Sequence, residues 1–393
     1  MNKLKNLPLV QGTAVFLRVD FNVPIKDGII QDTKRIDAAL PTIRFLLEKK
    51  CKIIVATHLG KPSGKGYEKE FSTEPVFRKL GALLGAENVL FAGSVIGEET
   101  AKKVKELKSG QALMLENVRF HKEENKNDPG FSKELASYAE VYINDAFGTM
   151  HRAHASVDGV PRLFPMGKKG CGFLVEYELE YLRDKLKEPE RPYTIIIGGA
   201  KVSDKIELLK NMTSKADNIL IGGGMMFTFL KAKNINIGRS ILEADKIPVA
   251  LEILEHGGSR IKLPVDALAV DDIENPTYTE RKAINELKEN DIGVDIGTET
   301  AEQFAHAIEE SKTVIFNGPM GIFEDDRYAA GTRRVIEAMK NSKGITIVGG
   351  GDSASAVKKF KMKDGITHIS TGGGASLELL SGIELPGVNA LES

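Results

Sequence analysis

The sequence predicts an α/β protein with two doubly wound parallel-sheet domains joined by a helix. Short β-branched runs alternate with amphipathic helical stretches along the whole chain. Near-continuous apolar strands separated by helices indicate parallel sheets that are covered on both faces. At 393 residues the chain is too long for one ordinary core, so two domains are expected.

Ten strands are expected, five in each half of the chain. In the first half they are the runs at 14–21, 52–59, 88–93, 112–117 and 141–147. In the second half they are the runs at 193–199, 218–224, 312–318, 345–351 and 367–374. Their apolar character and their helical spacers predict a doubly wound, Rossmann-like sheet in each half.

A helix is expected to join the two halves. Apolar residues at 174, 175, 179, 182 and 186 have the spacing of one amphipathic helix. A charged, Pro-containing break follows at 187–192. We therefore expect domains over 1–171 and 188–370, a joining helix over 172–187 that serves as a hinge, and a final segment over 371–393.

Composition argues against several classes of protein. With 54 basic against 55 acidic residues, the chain lacks the basic surplus of a general nucleic-acid coat. Cys51 and Cys171 have neither zinc-like nor disulfide-framework spacing, which indicates a reducing compartment. No run approaches the ~18 apolar residues of a membrane span, and the first ten residues do not resemble a signal peptide. A cytoplasmic protein is expected.

Polar and basic side chains follow the predicted strands of the first half. They are Asp20, Asn22, Arg35, His58, Lys61, Arg119, His151, Arg152 and His154. In open parallel sheets, ligands bind beyond the carboxyl ends of the strands, and guanidinium groups pair with carboxylate and phosphate. A single arginine is more often a surface charge. Basic groups on four separate loops at one sheet edge instead favour a pocket for a small polyanion.

Glycines take the place of these charges at the strand ends of the second half. Gly198 and Gly199 lead from a strand into an expected helix that bears Lys201 and Lys205, four residues apart and hence on one helical face. Glycine lets backbone N–H groups approach phosphate, and a helix N-terminus adds a positive dipole. This half is therefore expected to bind a phosphate-bearing ligand.

A second glycine-rich turn, at 348–353, places Asp352 and Ser353 at a helix start. A carboxylate beside phosphates is the usual protein ligand of Mg²⁺. Asp is also a common helix N-cap. The two roles are about equally favoured and can coexist.

Two common nucleotide-binding motifs are absent or incomplete in the sequence. The chain has no GxxxxGK(S/T) sequence, which argues against a P-loop protein. Gly349–Ala354 matches the looser GxGxxA dinucleotide pattern, but the strand that follows ends without the acidic residue that would hold a ribose.

Eight segments resemble phosphoglycerate kinases, in the order of that family and over essentially the whole chain. They are RVDFNVP (18–24), HLGKP (58–62), NDAFGTMHRAHAS (144–156), GGAKVSDKI (198–206), GGGMMFTFLKA (222–232), FNGPMGIFE (316–324), VGGGDS (348–353) and STGGGASLELL (370–380). The resemblance implies a bilobal, hinge-closing, monomeric kinase. Its reaction would be reversible phosphoryl transfer between 1,3-bisphosphoglycerate with ADP and 3-phosphoglycerate with ATP, with Mg²⁺.

The resemblance also implies a set of site residues in each lobe. Those expected to bind the glycerate are Asp20, Phe21, Asn22, Arg35, His58, Leu59, Gly60, Lys61, Arg119 and Arg152. Those expected to bind the nucleotide are Gly199, Lys201, Lys205, Gly223, Gly293, Asn317, Glu324, Gly350, Gly351, Asp352 and Ser353. Within this set, Glu324 would accept from the ribose hydroxyls and Asp352 would hold the metal.

The family's C-terminal segment returns to the first lobe, which implies the same for 371–393. Gly372 and Gly373 would then offer backbone N–H groups to the reacting phosphate. The sequence departs from the family at two places. Lys61 stands where Arg is usual and loses the guanidinium fork, and Met150 occupies a position that is usually small.

The reaction implied by the resemblance needs no general base, because its acceptors are already ionised near pH 7. What remains is alignment and charge neutralisation, for which we expect Arg35 and Lys201 as the catalytic cations. Lobe closure would exclude water from the acyl phosphate. The competing hypotheses are a dinucleotide-dependent oxidoreductase, which rests on the GxGxxA match alone, and a non-catalytic scaffold. A non-catalytic scaffold would be expected to have lost Arg35, Lys201 and Asp352, but all three residues are present.

Overall fold

The computed structural model describes residues 1–393, which form two compact units. The first unit contains Met1–Glu180 together with Glu384–Ser393, and the second contains Tyr181–Ile383. The expected joining helix over 172–187 is thus divided after Glu180. The expected final segment over 371–393 is divided after Ile383, so that only its last ten residues belong to the first unit.

The first unit is built on a seven-stranded parallel sheet. The strands of the unit are β1 (Asn2–Lys3), β2 (Ala14–Val19), β3 (Ile25–Lys26), β4 (Ile29–Ile30), β5 (Lys52–Ala56), β6 (Val89–Phe91), β7 (Ala112–Met114), β8 (Val141–Asp145) and β9 (Lys169–Cys171). Its first seven helices are α1 (Lys34–Glu48), α2 (Glu74–Leu84), α3 (Glu98–Glu106), α4 (Lys122–Asn125), α5 (Pro129–Ala136), α6 (Val160–Arg162) and α7 (Phe173–Leu179). The sheet has the order β1-β9-β8-β2-β5-β7-β6, and β3 and β4 form a separate antiparallel hairpin.

The central strands of this sheet are buried on both faces, which explains their near-continuous apolar sequence. Val15 of β2 pairs with Ile53 of β5 on one side and with Val141 of β8 on the other, and all three are buried. The chain winds from β2 towards β6 and then resumes on the other side at β8. The carboxyl ends of β2 and β8 therefore flank a switch point, where a ligand crevice forms in such sheets.

The second unit contains a six-stranded parallel sheet and a three-stranded antiparallel sheet. The strands are β10 (Tyr193–Ile197), β11 (Asn218–Ile221), β12 (Ile261–Lys262), β13 (Asp266–Val270), β14 (Thr279–Ala283), β15 (Ile292–Ile296), β16 (Thr313–Asn317), β17 (Ile345–Val348) and β18 (His368–Ile369). The helices are α8 (Ile206–Thr213), α9 (Met226–Ala232), α10 (Ile247–Gly257), α11 (Thr298–Glu309), α12 (Ala330–Asn341), α13 (Gly351–Lys359) and α14 (Gly374–Leu380). The larger sheet has the order β12-β11-β10-β16-β17-β18.

This strand order is that of a Rossmann fold, with its switch point between β10 and β16. All ten strands expected from the sequence are present in the two parallel sheets, so the predicted doubly wound α/β architecture is confirmed. The antiparallel sheet β14-β13-β15 was not predicted. Its strand β14 reads TERKA and is largely exposed, so it lacks the apolar alternation on which strand prediction depends.

The last helix, α15 (Pro386–Glu392), packs within the first unit. Its residues Val388 and Leu391 are buried, and the Gly387 N–H donates to the Met150 carbonyl oxygen at 2.9 Å. A Cβ at Gly387 would lie 3.1 Å from the Met150 side chain. The larger residue at position 150 thus packs against α15.

The thiols of Cys51 and Cys171 are buried, and neither forms a disulfide. Burial raises the pKa of Cys51 to about 11 and that of Cys171 to about 12. No helix combines the length and the apolar character that crossing a bilayer would require.

Candidate active site

The first unit gathers polar side chains beyond the carboxyl end of β2. Asp20 follows this strand directly, and Arg35 lies in the first turn of α1. Arg35 Nη1 donates to Asp20 Oδ2 at 2.7 Å, while Asp20 Oδ1 accepts from the Asn22 backbone N–H at 3.2 Å. Asp20 therefore holds the Arg35 guanidinium at the strand end and neutralises part of its charge.

The loops after β5 and β7 join the same group through hydrogen bonds. The Gly60 N–H donates to Asn22 Oδ1 at 2.8 Å, and Arg119 Nη1 donates to the Gly60 carbonyl oxygen at 2.9 Å. Gly60 has a φ of +61°, and a Cβ there would lie 2.4 Å from the Phe71 ring. The ends of β2, β5 and β7 are thus linked by consecutive hydrogen bonds. Only glycine fits at position 60 in this arrangement.

Arg18 is a site residue that the sequence reasoning missed. It lies inside β2 and is only 1% exposed. Its Nη2 lies 3.3 Å from His58 Nδ1, and its Nε donates to Ser156 Oγ at 2.8 Å. Ser156 Oγ in turn donates to Oε1 of the buried Glu124 at 2.6 Å. The sequence feature that could have identified Arg18 is its charge within an otherwise apolar strand.

The electrostatic field of this cluster is positive. Burial, reinforced by Arg119 and Arg18, lowers the pKa of His154 to about 3. Burial followed by the charge of Arg18 likewise holds the pKa of His58 well below its usual value. Burial and the neighbouring Arg152 lower the pKa of Arg119 to about 10. Both histidines are therefore neutral at pH 7, and a bound anion would relieve the repulsion among the arginines.

Two polar atoms of the cluster are buried without a partner, Arg119 Nε and His151 Nδ1. Buried polar groups are normally hydrogen-bonded, so such atoms indicate a place for a ligand or water. Arg152 and Lys61 are exposed. Phe21 and Leu59 are buried, and the Phe21 N–H is occupied by Thr57 Oγ1 at 2.9 Å. Phe21 and Leu59 therefore determine the shape of the loops, and their side chains do not face a ligand.

In the second unit, glycines allow three backbone segments to pack closely around the switch point. A Cβ at Gly198 would lie 2.1 Å from the Pro319 carbonyl oxygen, and one at Gly223 would lie 2.5 Å from the Gly199 N atom. Gly199, Gly223 and Gly318 also have positive φ angles of 102°, 64° and 103°. Glycine at position 223 is therefore required by backbone packing.

The expected placement of the two lysines on one helical face is wrong. Helix α8 begins only at Ile206, so Lys201 and Lys205 both lie in the turn that precedes it. The turn leaves Lys201 exposed, whereas Lys205 Nζ donates to Asn317 Oδ1 at the end of β16. Burial lowers the pKa of Lys205, while Asp204 and Asp352 oppose this effect. A lysine and an amide thus meet at the switch point.

The turn at 350–353 begins α13, and no side chain caps this helix. Gly350, with a φ of +89°, is the N-cap, and Asp352 is an exposed residue inside the first turn. Of the two roles considered for Asp352, that of helix N-cap is therefore wrong. Ser353 Oγ instead accepts from the Gly318 N–H at 2.6 Å. The Asp352 carboxylate remains available beside a glycine-rich helix start.

The remaining predicted residues are more dispersed. Gly293 lies on β15, where a Cβ would overlap the Phe227 ring at 2.0 Å. Glu324 has an exposed side chain, and its carbonyl oxygen accepts from Lys359 Nζ at 2.8 Å. Gly372 and Gly373 precede α14, and the Gly372 N–H donates to Ser370 Oγ at 3.1 Å.

A basic strand edge in one unit and a glycine-lined Rossmann switch point in the other are compatible with an enzyme of the phosphotransferase class, and the relatives of the chain show that class. A sequence model of phosphoglycerate kinase matches residues 4–383. The chain belongs to the phosphoglycerate kinase family. It is a kinase of glycolysis, and its reaction links 1,3-bisphosphoglycerate and ADP to 3-phosphoglycerate and ATP.

Similar proteins span the full length of the chain. A phosphoglycerate kinase of Dictyoglomus turgidum is 49% identical over 387 residues, covering 98% of this chain and 96% of its own. One of Finegoldia magna is 46% identical over 399 residues and covers 100% of both chains. The structure of phosphoglycerate kinase from Coxiella burnetii has a TM-score of 0.92 at 36% identity, covering 100% of this chain and 98% of its own.

Proposed function

We propose that the first unit binds the glycerate substrate and the second binds the nucleotide. The observation that carries this division is the contrast between the two switch points. One presents Arg18, Arg35 and Arg119 around neutral histidines, and the other presents glycines with Lys205. A small polyanion fits the first arrangement, and a nucleotide phosphate chain fits the second.

The proposed glycerate ligands are the polar groups at the carboxyl ends of β2, β5, β7 and β8. They are Asp20, Asn22, Arg35, His58, Lys61, Arg119 and Arg152, with Phe21, Leu59 and Gly60 shaping the loops between them. The unpaired Arg119 Nε and His151 Nδ1 supply contacts beyond those expected. The positive field favours a ligand that carries both a phosphate and a carboxylate.

The proposed nucleotide ligands lie around the second switch point. They are Gly199, Lys201, Lys205, Gly223, Gly293, Asn317, Glu324, Gly350, Gly351, Asp352 and Ser353. No group of three or more His, Cys, Asp and Glu side chains is placed to hold a metal. The single exposed carboxylate of Asp352 instead fits Mg²⁺ that arrives with the nucleotide, since Mg²⁺ is usually held by one or two carboxylates and phosphate oxygens.

The proposed mechanism is alignment and charge neutralisation. The carboxylate and the nucleotide phosphate are ionised at pH 7, so no general base is required. Arg35 and Lys201 would stabilise the transferring phosphoryl group, with backbone N–H groups of Gly372 and Gly373 assisting. Because these groups belong to different units, we propose that the units close during turnover and exclude water. We further propose a cytoplasmic monomer.

An assay of ADP formation that depends on both ATP and 3-phosphoglycerate tests the proposal. We expect turnover only when both substrates and Mg²⁺ are present. Nicotinamide-dependent absorbance changes without ADP formation would instead support the oxidoreductase alternative. Binding of both substrates without turnover would support a non-catalytic protein.

A further inference from the structure

The start of α7 is held by side chains from two distant parts of the chain. The first four N–H groups of a helix have no partner within it and are usually capped by the residue just before. Here the N-cap Gly172 provides no side chain. Instead, the Phe173 N–H donates to Thr42 Oγ1 at 3.0 Å, and the Leu174 and Val175 N–H groups donate to Asp145 Oδ1 at 2.9 and 3.3 Å.

Each capping side chain lies on an element that contains, or leads through a short turn to, an arginine of the anion site. Thr42 lies in α1, the helix whose first turn contains Arg35. Asp145 is the last residue of β8, and the turn that follows leads to Arg152. The α7 N-terminus therefore contacts each of the two basic elements through one enclosed hydrogen-bonding group.

The fit around Asp145 leaves little freedom. Asp145 and Thr42 are fully buried, and a Cβ at Gly172 would lie 2.3 Å from Asp145 Oδ1. Burial raises the pKa of this carboxyl to about 7, while hydrogen bonds from the Thr42 side chain and from the Val175 and Leu174 N–H groups oppose the shift. Enclosing a carboxyl group is unfavourable unless hydrogen bonds compensate it, so Asp145 depends on Thr42 and on the first turn of α7, and these groups form one linked polar cluster.

We infer that Thr42 and Asp145 are positioning residues that couple occupancy of the anion site to α7. This inference rests on the proposed binding of the glycerate to the first unit. A ligand bound to Arg35 and Arg152 restricts the motion of α1 and of the turn after β8. Because Thr42 and Asp145 hydrogen-bond to the first turn of α7, the motion of that turn is restricted as well. The chain leaves α7 for the second unit at Tyr181, so the start of that connection becomes ordered when substrate binds.

The test combines hydrogen exchange with kinetics on the full-length chain. In the wild type, 3-phosphoglycerate should slow amide exchange in peptides spanning 172–180. Thr42→Val keeps the shape but removes the acceptor. It should retain 3-phosphoglycerate affinity within about twofold by calorimetry, lose the ligand-induced protection, and lower kcat by about fivefold or more, the usual lower range of coupling between sites. Thr42→Ser should restore both readouts.

Asp145→Ala is the second variant, because Asn would keep an accepting Oδ1, and Asp128→Ala is the matched control. Asp128 caps α5 in the same unit, accepting from the Phe131 N–H at 2.9 Å, but α5 carries no arginine of the site. Asp145→Ala should lower the ligand-induced protection and kcat, whereas Asp128→Ala should change neither. Equal effects in the two Ala variants, or full protection and kcat in Thr42→Val, would overturn the coupling. Absence of 3-phosphoglycerate binding to the wild type would instead refute the proposed function.

Discussion

Arg18 sets the electrostatic character of the first unit because its guanidinium is buried and fixed. The Ser156 and Glu124 side chains complete a hydrogen-bonded path from it into the core. A charge enclosed in this way is screened less by solvent than a surface charge, so it acts more strongly on His58 and on any bound anion. The positive field is therefore present before substrate binds.

Replacing the two proposed catalytic cations tests their role in the transition state. We expect Arg35→Ala and Lys201→Ala each to lower kcat by ~10²–10³-fold with a modest change in KM, because their contacts would strengthen as charge moves. Steady-state kinetics provide the measurement. Arg78→Ala and Lys210→Ala, which remove exposed ion pairs elsewhere, serve as controls. A change confined to KM would assign Arg35 and Lys201 to binding only.

Replacing Asp352 tests its proposed role in metal binding without disturbing a helix cap. Because Gly350 is the N-cap of α13, removing the Asp352 carboxylate should cost the helix little. We expect Asp352→Ala to weaken ADP binding in the presence of Mg²⁺ and to leave binding without Mg²⁺ nearly unchanged, as measured by calorimetry. Equal affinities with Mg²⁺ for wild type and variant would contradict the proposed metal contact.

The depressed pKa of His154 predicts a pH dependence of stability. The unfolded chain takes up a proton near pH 6.5 that the folded ring takes up only near pH 3. Stability is therefore full above pH 6.5 and falls as the pH decreases towards 3. For this partly exposed ring we expect a loss of about 1 kcal/mol at pH 5, after allowing for solvent screening. Urea unfolding of wild type and His154→Gln at pH 7.5 and pH 5 would measure it, and identical losses would exclude His154 as the cause.

At the scale of elements, the glycine turns of the second unit combine a strained φ with close backbone contacts. We expect Gly223→Ala to lower the free energy of unfolding by about 2 kcal/mol or more and to weaken nucleotide binding, since its Cβ meets the Gly199 backbone. Gly167→Ala is the control, because its Cβ meets nothing within 4 Å and its φ is not positive. Chemical denaturation of both variants provides the comparison. Equal stabilities would show that the backbone at 223 relaxes freely.

The sequence allowed correct prediction of those elements whose structure follows from the local pattern of apolar and polar residues. Ten strands of the two parallel sheets were predicted because burial on two faces leaves a continuous apolar run, whereas the short strands β1, β9 and β12 were not. Strand β14 was not, because its pairing with β13 depends on tertiary context. The start of α8 was misplaced since a turn over 201–205 and a helix fit the same residues. Arg18 and the Thr42–Asp145 caps were missed because their partners are distant in sequence.

At the scale of the whole molecule, the first unit depends on the last ten residues of the chain. We expect truncation after Ile383 to destabilise this unit by about 5 kcal/mol, because Leu385, Val388 and Leu391 are buried in it. Hydrogen exchange should become faster in peptides of 1–180 and stay unchanged in those of 190–370. Equal acceleration in both units would contradict the assignment of α15 to the first unit.

The position of α15 also has a consequence for biosynthesis. Residues 1–180 leave the ribosome long before the helix that completes their core, because the whole of Tyr181–Ile383 is made in between. At ~5–20 residues per second, this delay is on the order of 10–40 s. During that time α15 does not yet cover the surface around Met150, so this surface is accessible to chaperones until α15 has been made.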